Sequence, residues 1–417
     1  MKAKTTTVMD TGRAKLDQRA ARTRHPSTRP RTARPAPPKL ARRLGGPPPR
    51  RRRPTSAPAP LDAYLLGAVI AVLTLLGLVM VLSASSVTAL HVEGSSWTYF
   101  RKQALWTVLG AAALVVTTRV PYHEWRRFVP TLLLVASSLM VIVLIPSIGN
   151  EVNGARAWFS FGPIGFQPSE LMKLALLLYT ADLLARRADR MHEVRMTLLP
   201  CLVVLAGATG LVLLQPDLGG AMVFAAIVLG VAFIAGTPLL PLGATTALVG
   251  TAGAAFMVQV RGERWTAFLD LAAHRQDDGF QVWQSLVGIA SGGLTGVGLG
   301  AGKAKWGFLP EAHTDFIFAV IAEELGLAGV AIVGALFLVL VLLGIRVALR
   351  APDRFGMLLA GGITCWILAQ TVINIGGVVG LMPLTGLTLP FVSFGGSSLL
   401  VTMAAAGLLL NVARSGR

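Results

Sequence analysis

From Tyr64 to Leu410 the chain alternates between long apolar runs and short polar clusters. Apolar runs of about 18 or more residues match the thickness of a bilayer and read as membrane helices. They predict helices over 62–82, 103–119, 128–148, 170–185, 197–214, 219–235, 239–258, 314–344, 356–379 and 392–411. Some of these exceed the hydrocarbon thickness and must tilt or protrude. The pattern predicts an all-α integral membrane protein with about ten transmembrane helices. A long extracytoplasmic loop, 259–313, separates the seventh helix from the eighth.

The charged residues between the runs set the orientation. Cytoplasmic loops carry the excess of Lys and Arg. Arg119, Arg126 and Arg127 fall in one loop, and Arg186, Arg187, Arg190 and Arg195 in a second. Arg346, Arg350 and Arg354 fall in a third, and Arg414 and Arg417 close the chain. With an even number of helices, both termini are expected in the cytoplasm. Residues 1–60 are dense in Arg and Pro, opposed only by Asp10 and Asp17, and poor in large apolar residues. Such a segment buries too little apolar surface to offset its ordering entropy and is expected to be disordered. It has no short apolar core of the kind a signal peptide needs. A basic tail before a first span reads as a cytoplasmic retention signal that touches anionic lipid, in preference to a nucleic-acid-binding arm. Two domains follow, the tail 1–60 and the membrane domain 61–417.

Composition also removes some chemistries. Cys201 and Cys365 lie inside apolar runs and have neither disulfide nor metal-site spacing. The glycines of 292–302 follow no predicted strand, so they do not read as a dinucleotide loop. No nucleophile elbow surrounds Ser393, Ser397 or Ser398, which excludes a serine hydrolase. No metal-ligand cluster is legible.

Four polar constellations remain, and charge at membrane depth is a functional candidate by default. The first is Asp315, where the long loop turns into a membrane helix. It reads either as a general base toward a hydroxyl or, with Thr314, as a helix cap. Glu323 and Glu324 lie deeper in the same helix, as a polar network or as a proton path. The second is 150–169 and the helix it enters, a Gly-, Pro- and aromatic-rich segment that looks partly re-entrant. It holds Arg156, Trp158, Glu170 and Lys173. Arg156 and Lys173 suit a pyrophosphate, Arg as a fork and Lys as a point charge. Equally, Glu170 and Lys173 are spaced to pair with each other. Trp158 suits either sugar stacking or an interface anchor. Lys303 and Lys305 add charge from the long loop, or are simply solvated. The third is LLQPDLGGAM (213–222), in which Asp217 reads as a cap more than a catalyst. The fourth is PLTGLTLPFVSFGGSSLL (383–400), where Ser393, Ser397 and the neighbouring glycines permit close helix approach.

In order and spacing, NGARAW…QPSELMK, LLQPDLGGAM, the segment Gly292–Gly326 and PLTGLTLPFVSFGGSS together resemble the SEDS family (shape, elongation, division and sporulation) of peptidoglycan glycosyltransferases. The likeness runs over nearly everything after about residue 61. LVMVLSASS (78–86) is more similar to the division branch, the FtsW type, than to the elongation branch, the RodA type. The resemblance implies polymerisation of lipid II into β-1,4 glycan strands at the outer face of the cytoplasmic membrane, at the division septum, with inversion at the anomeric carbon. It implies Asp315 as the essential acidic residue. It also implies a class B penicillin-binding protein and other division membrane proteins as partners, and no nucleic acid. A divalent cation, Mg or Mn, at the pyrophosphate fits the chemistry but is not readable from the residues. A lipid II flippase and a pure scaffold are the alternatives. A flippase needs a polar path across the whole membrane, and a scaffold leaves Asp315 without a purpose.

Overall fold

The computed structural model describes residues 61–152, 154–161, 164–260 and 262–416. The expectations placed on 1–60 and on Arg417 lie outside them. Among the described residues there are twelve α-helices: α1 (Leu61–Glu93), α2 (Thr98–Arg119), α3 (Val129–Ile142), α4 (Pro168–Arg186), α5 (Leu198–Leu213), α6 (Leu218–Ile234), α7 (Leu239–Val260), α8 (Gly262–Leu269), α9 (Phe280–Gly292), α10 (Ile317–Leu349), α11 (Arg354–Val378) and α12 (Gly396–Ser415). Each of the ten apolar runs coincides with one helix, and α8 and α9 occupy the long loop. Among the described residues six stretches are long and apolar enough to cross a membrane: α1, 122–142 including α3, α7, α10, α11 and α12. The apolar helices α5 and α6 are shorter. The chain is a multi-pass membrane protein.

The segment 150–166 is not re-entrant. It forms a three-stranded antiparallel meander, β1 (Asn150–Val152), β2 (Ala155–Phe161) and β3 (Ile164–Phe166). Val152 pairs with Ala155 across a two-residue turn, and Gly154 there has φ +74°. A two-residue hairpin turn needs positive φ, which glycine adopts without a steric penalty. Pro168 then occupies the first turn of α4, where its missing N–H costs nothing.

α11 and α12 form the buried centre, whereas α7 lies almost wholly exposed at the periphery. α12 packs against α2 through small residues. A Cβ on Gly396 would collide with the Trp106 ring, one on Gly407 with Thr117 and Leu114, and one on Gly110 with Met403. Small residues at such crossings let two backbones approach, which in lipid is a main source of helix affinity. The Asn411 side chain then donates to the Thr117, Thr118 and Val120 carbonyls, three acceptors that the end of α2 leaves open.

α10 is one run of 33 residues with a break at Gly326, whose φ is +67° and ψ −165°. The glycine-rich loop after α9 fills the break. The amides of Val297 and Gly298 donate to the Glu323 and Glu324 carbonyls, and those of Leu327 and Ala328 donate to Gly293 and Leu294. Non-helical backbone at membrane depth is tolerated only where protein satisfies it in this way. From Leu327 to Leu349 the helix is roughly 35 Å long at about 1.5 Å per residue, close to a hydrocarbon thickness of about 30 Å.

The two ends of the bundle differ in charge. At one end Asp62 accepts from Arg346 (3.3 Å) and Arg350 (2.7 Å), and Asp182 from Arg126 (2.6 Å) and Arg186. Tyr122 and His123 both meet Asp353 there. This basic end gathers the three Arg-rich loops. The other end gathers the meander, the long loop and the turns before α4, α6, α10 and α12.

Candidate active site

Asp315 lies in the turn before α10 and is half-buried. The capping alternative does not hold, because the N-cap of α10 is Phe316 and no side chain caps it. Instead the Asp315 main chain is fixed from the side. Asn374 of α11 donates through Nδ2 to the carbonyls of Asp315 (2.8 Å) and Leu387 (2.6 Å). One amide thus joins the acid to the PLTGLTLP loop. That loop passes over the carboxylate at Gly386, which has φ +71°, and a Cβ there would sit 3.6 Å from the Asp315 Oδ2.

The acid stands in a charged surround. Burial lifts its carboxyl to about 7, the nearby Glu311 pushes the same way, Arg264 opposes and Asp217 adds a smaller upward push. Glu311 is oriented by Thr314, whose hydroxyl donates to the Glu311 carboxylate at 2.9 Å. His313 packs between Tyr99 and Phe394, and burial lowers its pKa, so at neutral pH its ring is uncharged packing. Its carbonyl accepts from the Phe394 amide at 2.9 Å, which ties the loop to the turn before α12.

Asp217 caps α6, accepting from the Gly220 amide at 2.7 Å, as its place in the sequence suggests. Its second oxygen accepts from Gln167 at 3.3 Å, and the Gln167 amide donates to the Ser397 hydroxyl at 3.2 Å. Burial raises the Asp217 pKa. The third and fourth constellations are therefore joined to the second. Ser393 accepts from the Leu389 amide at 2.8 Å and closes the turn before α12.

Lys173 and Glu170 form the pair that their spacing allows, at 2.8 Å, and both are buried. Lys173 also donates to Gln370 (3.3 Å), which in turn donates to the Thr388 carbonyl (2.9 Å). Lys173 is thus a strut behind the PLTGLTLP loop and is closed to a phosphate. Lys305 is likewise buried, on Glu324 (3.2 Å) and on the Gly300 carbonyl, so it is no solvated loop lysine. Lys303 is exposed. Arg156 stands on β2, paired with Glu151 at 3.2 Å. Trp158, on the same strand, lies against Gly165 and is half-buried.

Glu323 and Glu324 form a network and not an open path. Glu323 accepts from the amides of Lys303 (2.7 Å) and Ala304 (3.1 Å). Glu324 accepts from Ser83 of α1, from the Gly300 amide and from Lys305. Among the described residues no group of three or more His, Cys, Asp or Glu is placed to hold a metal ion.

Three contributors escaped the sequence reading as site residues. Glu311 lies four residues before Asp315 in the same motif, so spacing alone could have flagged it. Arg264 stands on α8, whose strongly one-sided pattern marks a helix lying against the bundle. Asn374 is an amide in an apolar helix, and such residues usually bond to another element.

A family model described as cell cycle protein, FtsW/RodA/SpoVE, matches residues 63–417. The chain is 42% identical over 342 residues to the probable peptidoglycan glycosyltransferase FtsW of Geobacter metallireducens, covering 82% of this chain and 91% of that protein. Its fold is similar to the rod shape determining protein RodA of Thermus thermophilus, with TM-score 0.62, 32% identity and coverage of 84% and 95%. It is also similar to a chain from a structure described as the structural coordination of polymerization and crosslinking by a peptidoglycan synthase complex. There the TM-score is 0.67, the identity 33% and the coverage 85% and 96%.

Proposed function

The chain belongs to the FtsW/RodA/SpoVE family of cell cycle proteins, and from that premise we propose that it is a peptidoglycan glycosyltransferase with Asp315 as its general base. Lipid II is the substrate. Asp315 takes the proton from the 4-hydroxyl of an acceptor lipid II. The freed oxygen attacks the anomeric carbon of the lipid-linked glycan. The new O–C bond forms as the bond to undecaprenyl pyrophosphate breaks, and the electron pair leaves with the pyrophosphate. Attack from the face opposite the leaving group turns an α-linked donor into a β-1,4 product.

The observation that carries this reading is the placement of Asp315: its carboxylate caps nothing and faces the PLTGLTLP loop at Gly386, its main chain is held by Asn374, and burial pushes its carboxyl up toward neutral pH. A base works best with a pKa near the operating pH. Arg156 and Lys303, which reach solvent at the same end, supply positive charge for the leaving pyrophosphate. Trp158 offers a face for a sugar. Any divalent cation there would draw its ligands mainly from the phosphates.

The basic end lies in the cytoplasm and the Asp315 end faces outward, so ten helices cross the membrane with both termini inside. Arg-rich loops at one end only are the support for this. The likeness to a chain of a polymerising and crosslinking complex supports a transpeptidase partner of the class B penicillin-binding type. The likeness to FtsW supports work at the division septum with other division proteins.

The test is polymerisation of lipid II by purified protein, with and without the transpeptidase. Asp315→Asn keeps the size of the side chain and removes the base. Its rate should fall ~10²–10⁴-fold while the protein still accumulates and still binds its partner. A well-folded Asp315→Asn protein that polymerises at the normal rate would refute the assignment.

A further inference from the structure

At the basic end, far from Asp315, an open groove of about 630 Å³ lies between α3 and α4. One wall is α3 from Val129 to Ser137, with Leu133 half-buried and Leu134 on the open rim, and the other is Tyr179 and Leu183 of α4. Along α3 the groove runs about 12 Å, at about 1.5 Å per residue. That is close to the depth of one leaflet, half of a core about 30 Å thick. The groove is apolar along its length and charged only at its mouth, where Asp182, Arg186 and Arg187 stand.

The charge at the mouth does not cancel. Asp182 is shared by Arg186 and by Arg126, which reaches it from the turn before α3. Arg187 donates to the Met196 carbonyl and, among the described residues, pairs with no carboxylate. Three guanidinium groups therefore face one carboxylate. The neighbouring Glu124 is held by Arg127, at 2.9 Å. Arg186 keeps much of its side chain in the open, with 62% exposed. An apolar slot one leaflet deep, closed at the headgroup level by surplus positive charge, matches one molecule in particular.

We propose that this groove between α3 and α4 is a binding site for an anionic phospholipid, whose acyl chain fills the slot and whose phosphate meets Arg186 and Arg187. The leaflet follows from the orientation proposed above and is the inner one. Lipid retention itself does not depend on that orientation, because both leaflets of a reconstituted bilayer carry the probe. The lipid would brace the α3–α4 pair, and α4 carries Glu170 and Lys173 at its other end.

The experiment uses the purified full-length chain in nanodiscs of phosphatidylglycerol and phosphatidylcholine with identical acyl chains, read by native mass spectrometry after release. The wild type should retain phosphatidylglycerol over phosphatidylcholine by at least about tenfold, from two basic side chains near the headgroup. Arg186→Gln/Arg187→Gln should bring the two lipids near parity. Leu133→Trp leaves every charge in place and fills the slot, and it should lose both lipids. Three results overturn the proposal: equal retention of the two lipids by the wild type, undiminished phosphatidylglycerol on both folded variants, or a second copy of the chain in place of lipid.

Discussion

Protonation of Asp315 sets how the rate should vary with pH. Its carboxyl is raised from the ordinary carboxylate range to about 7, so the base form fills only as pH rises through that value. Below the midpoint, kcat/KM should fall about tenfold per pH unit, and above it the rate should level off. Removing the Glu311 charge with Glu311→Gln takes away an upward push, so the midpoint should move down. A flat profile between pH 5 and 8, or an upward shift in that variant, would remove Asp315 as the titrating base. The linkage runs against stability. Between about 4, the unfolded value, and about 7 the folded chain holds a proton that the unfolded chain has lost. Rising pH across that window therefore destabilises the fold. Asn374 acts on the same residue through its main chain. Asn374→Asp keeps the shape but loses the donor to the Asp315 and Leu387 carbonyls. Two buried acceptors left open cost about 1–3 kcal/mol each. Melting should come earlier and kcat should drop with KM less affected. Normal kcat in this variant would show that the amide holds the loop without positioning the acid.

At the scale of the elements, the Gly326 break carries the sharpest expectation. A Cβ on Gly326 would run into the Gly296 amide, and one on Gly296 into the Glu324 carbonyl. Both residues also hold positive φ, at +67° and +80°, which costs an L residue about 1–2 kcal/mol before any collision. Gly326→Ala and Gly296→Ala should each lower the thermal midpoint of the solubilised protein strongly. The double variant should be little worse than either single one, since one contact is lost once. Gly334 lies further along the same helix with open space around it, and Gly334→Ala should be neutral or mildly stabilising. Equal effects at Gly334 and Gly326 would mean that the break has no special demand. This element also shows what the sequence reveals. Hydropathy marks all of 317–349, yet nothing in EELGLAGV separates a glycine that packs from one that interrupts. The interruption is specified by residues 293–298, about thirty positions away. The same holds for Lys305, whose burial depends on Glu324, and for the meander, whose short strands hide among Gly and Pro. What was legible is local: the apolar runs, the Glu170–Lys173 spacing, the Asp217 cap and the Asp315 motif.

For the whole molecule, the separation of charge predicts which end each reagent reaches. A cysteine in place of Ala188, in the Arg-rich loop after α4, should react with an impermeant thiol reagent only when the inner face is open. A cysteine in place of Ala272, between α8 and α9, should react in intact cells. Labelling of both from one side would contradict the orientation, and with it the outward placement of Asp315. Cys201 is buried and Cys365, within α11, is half-buried, so the chain without an added cysteine sets the background of such an experiment. The pairing of α12 with α2 has a consequence for biosynthesis. Among the described residues α12 follows the other eleven helices, yet it is the helix that fills the surface Gly110, Trp106 and Thr117 present on α2. While the ribosome is still making the middle of the protein, α2 waits in the bilayer with its seam open and its last carbonyls uncapped. The nascent bundle therefore lacks its clasp until Asn411 arrives. A stop codon in the last few turns of α12 should send the protein to membrane proteolysis as surely as one hundreds of residues upstream.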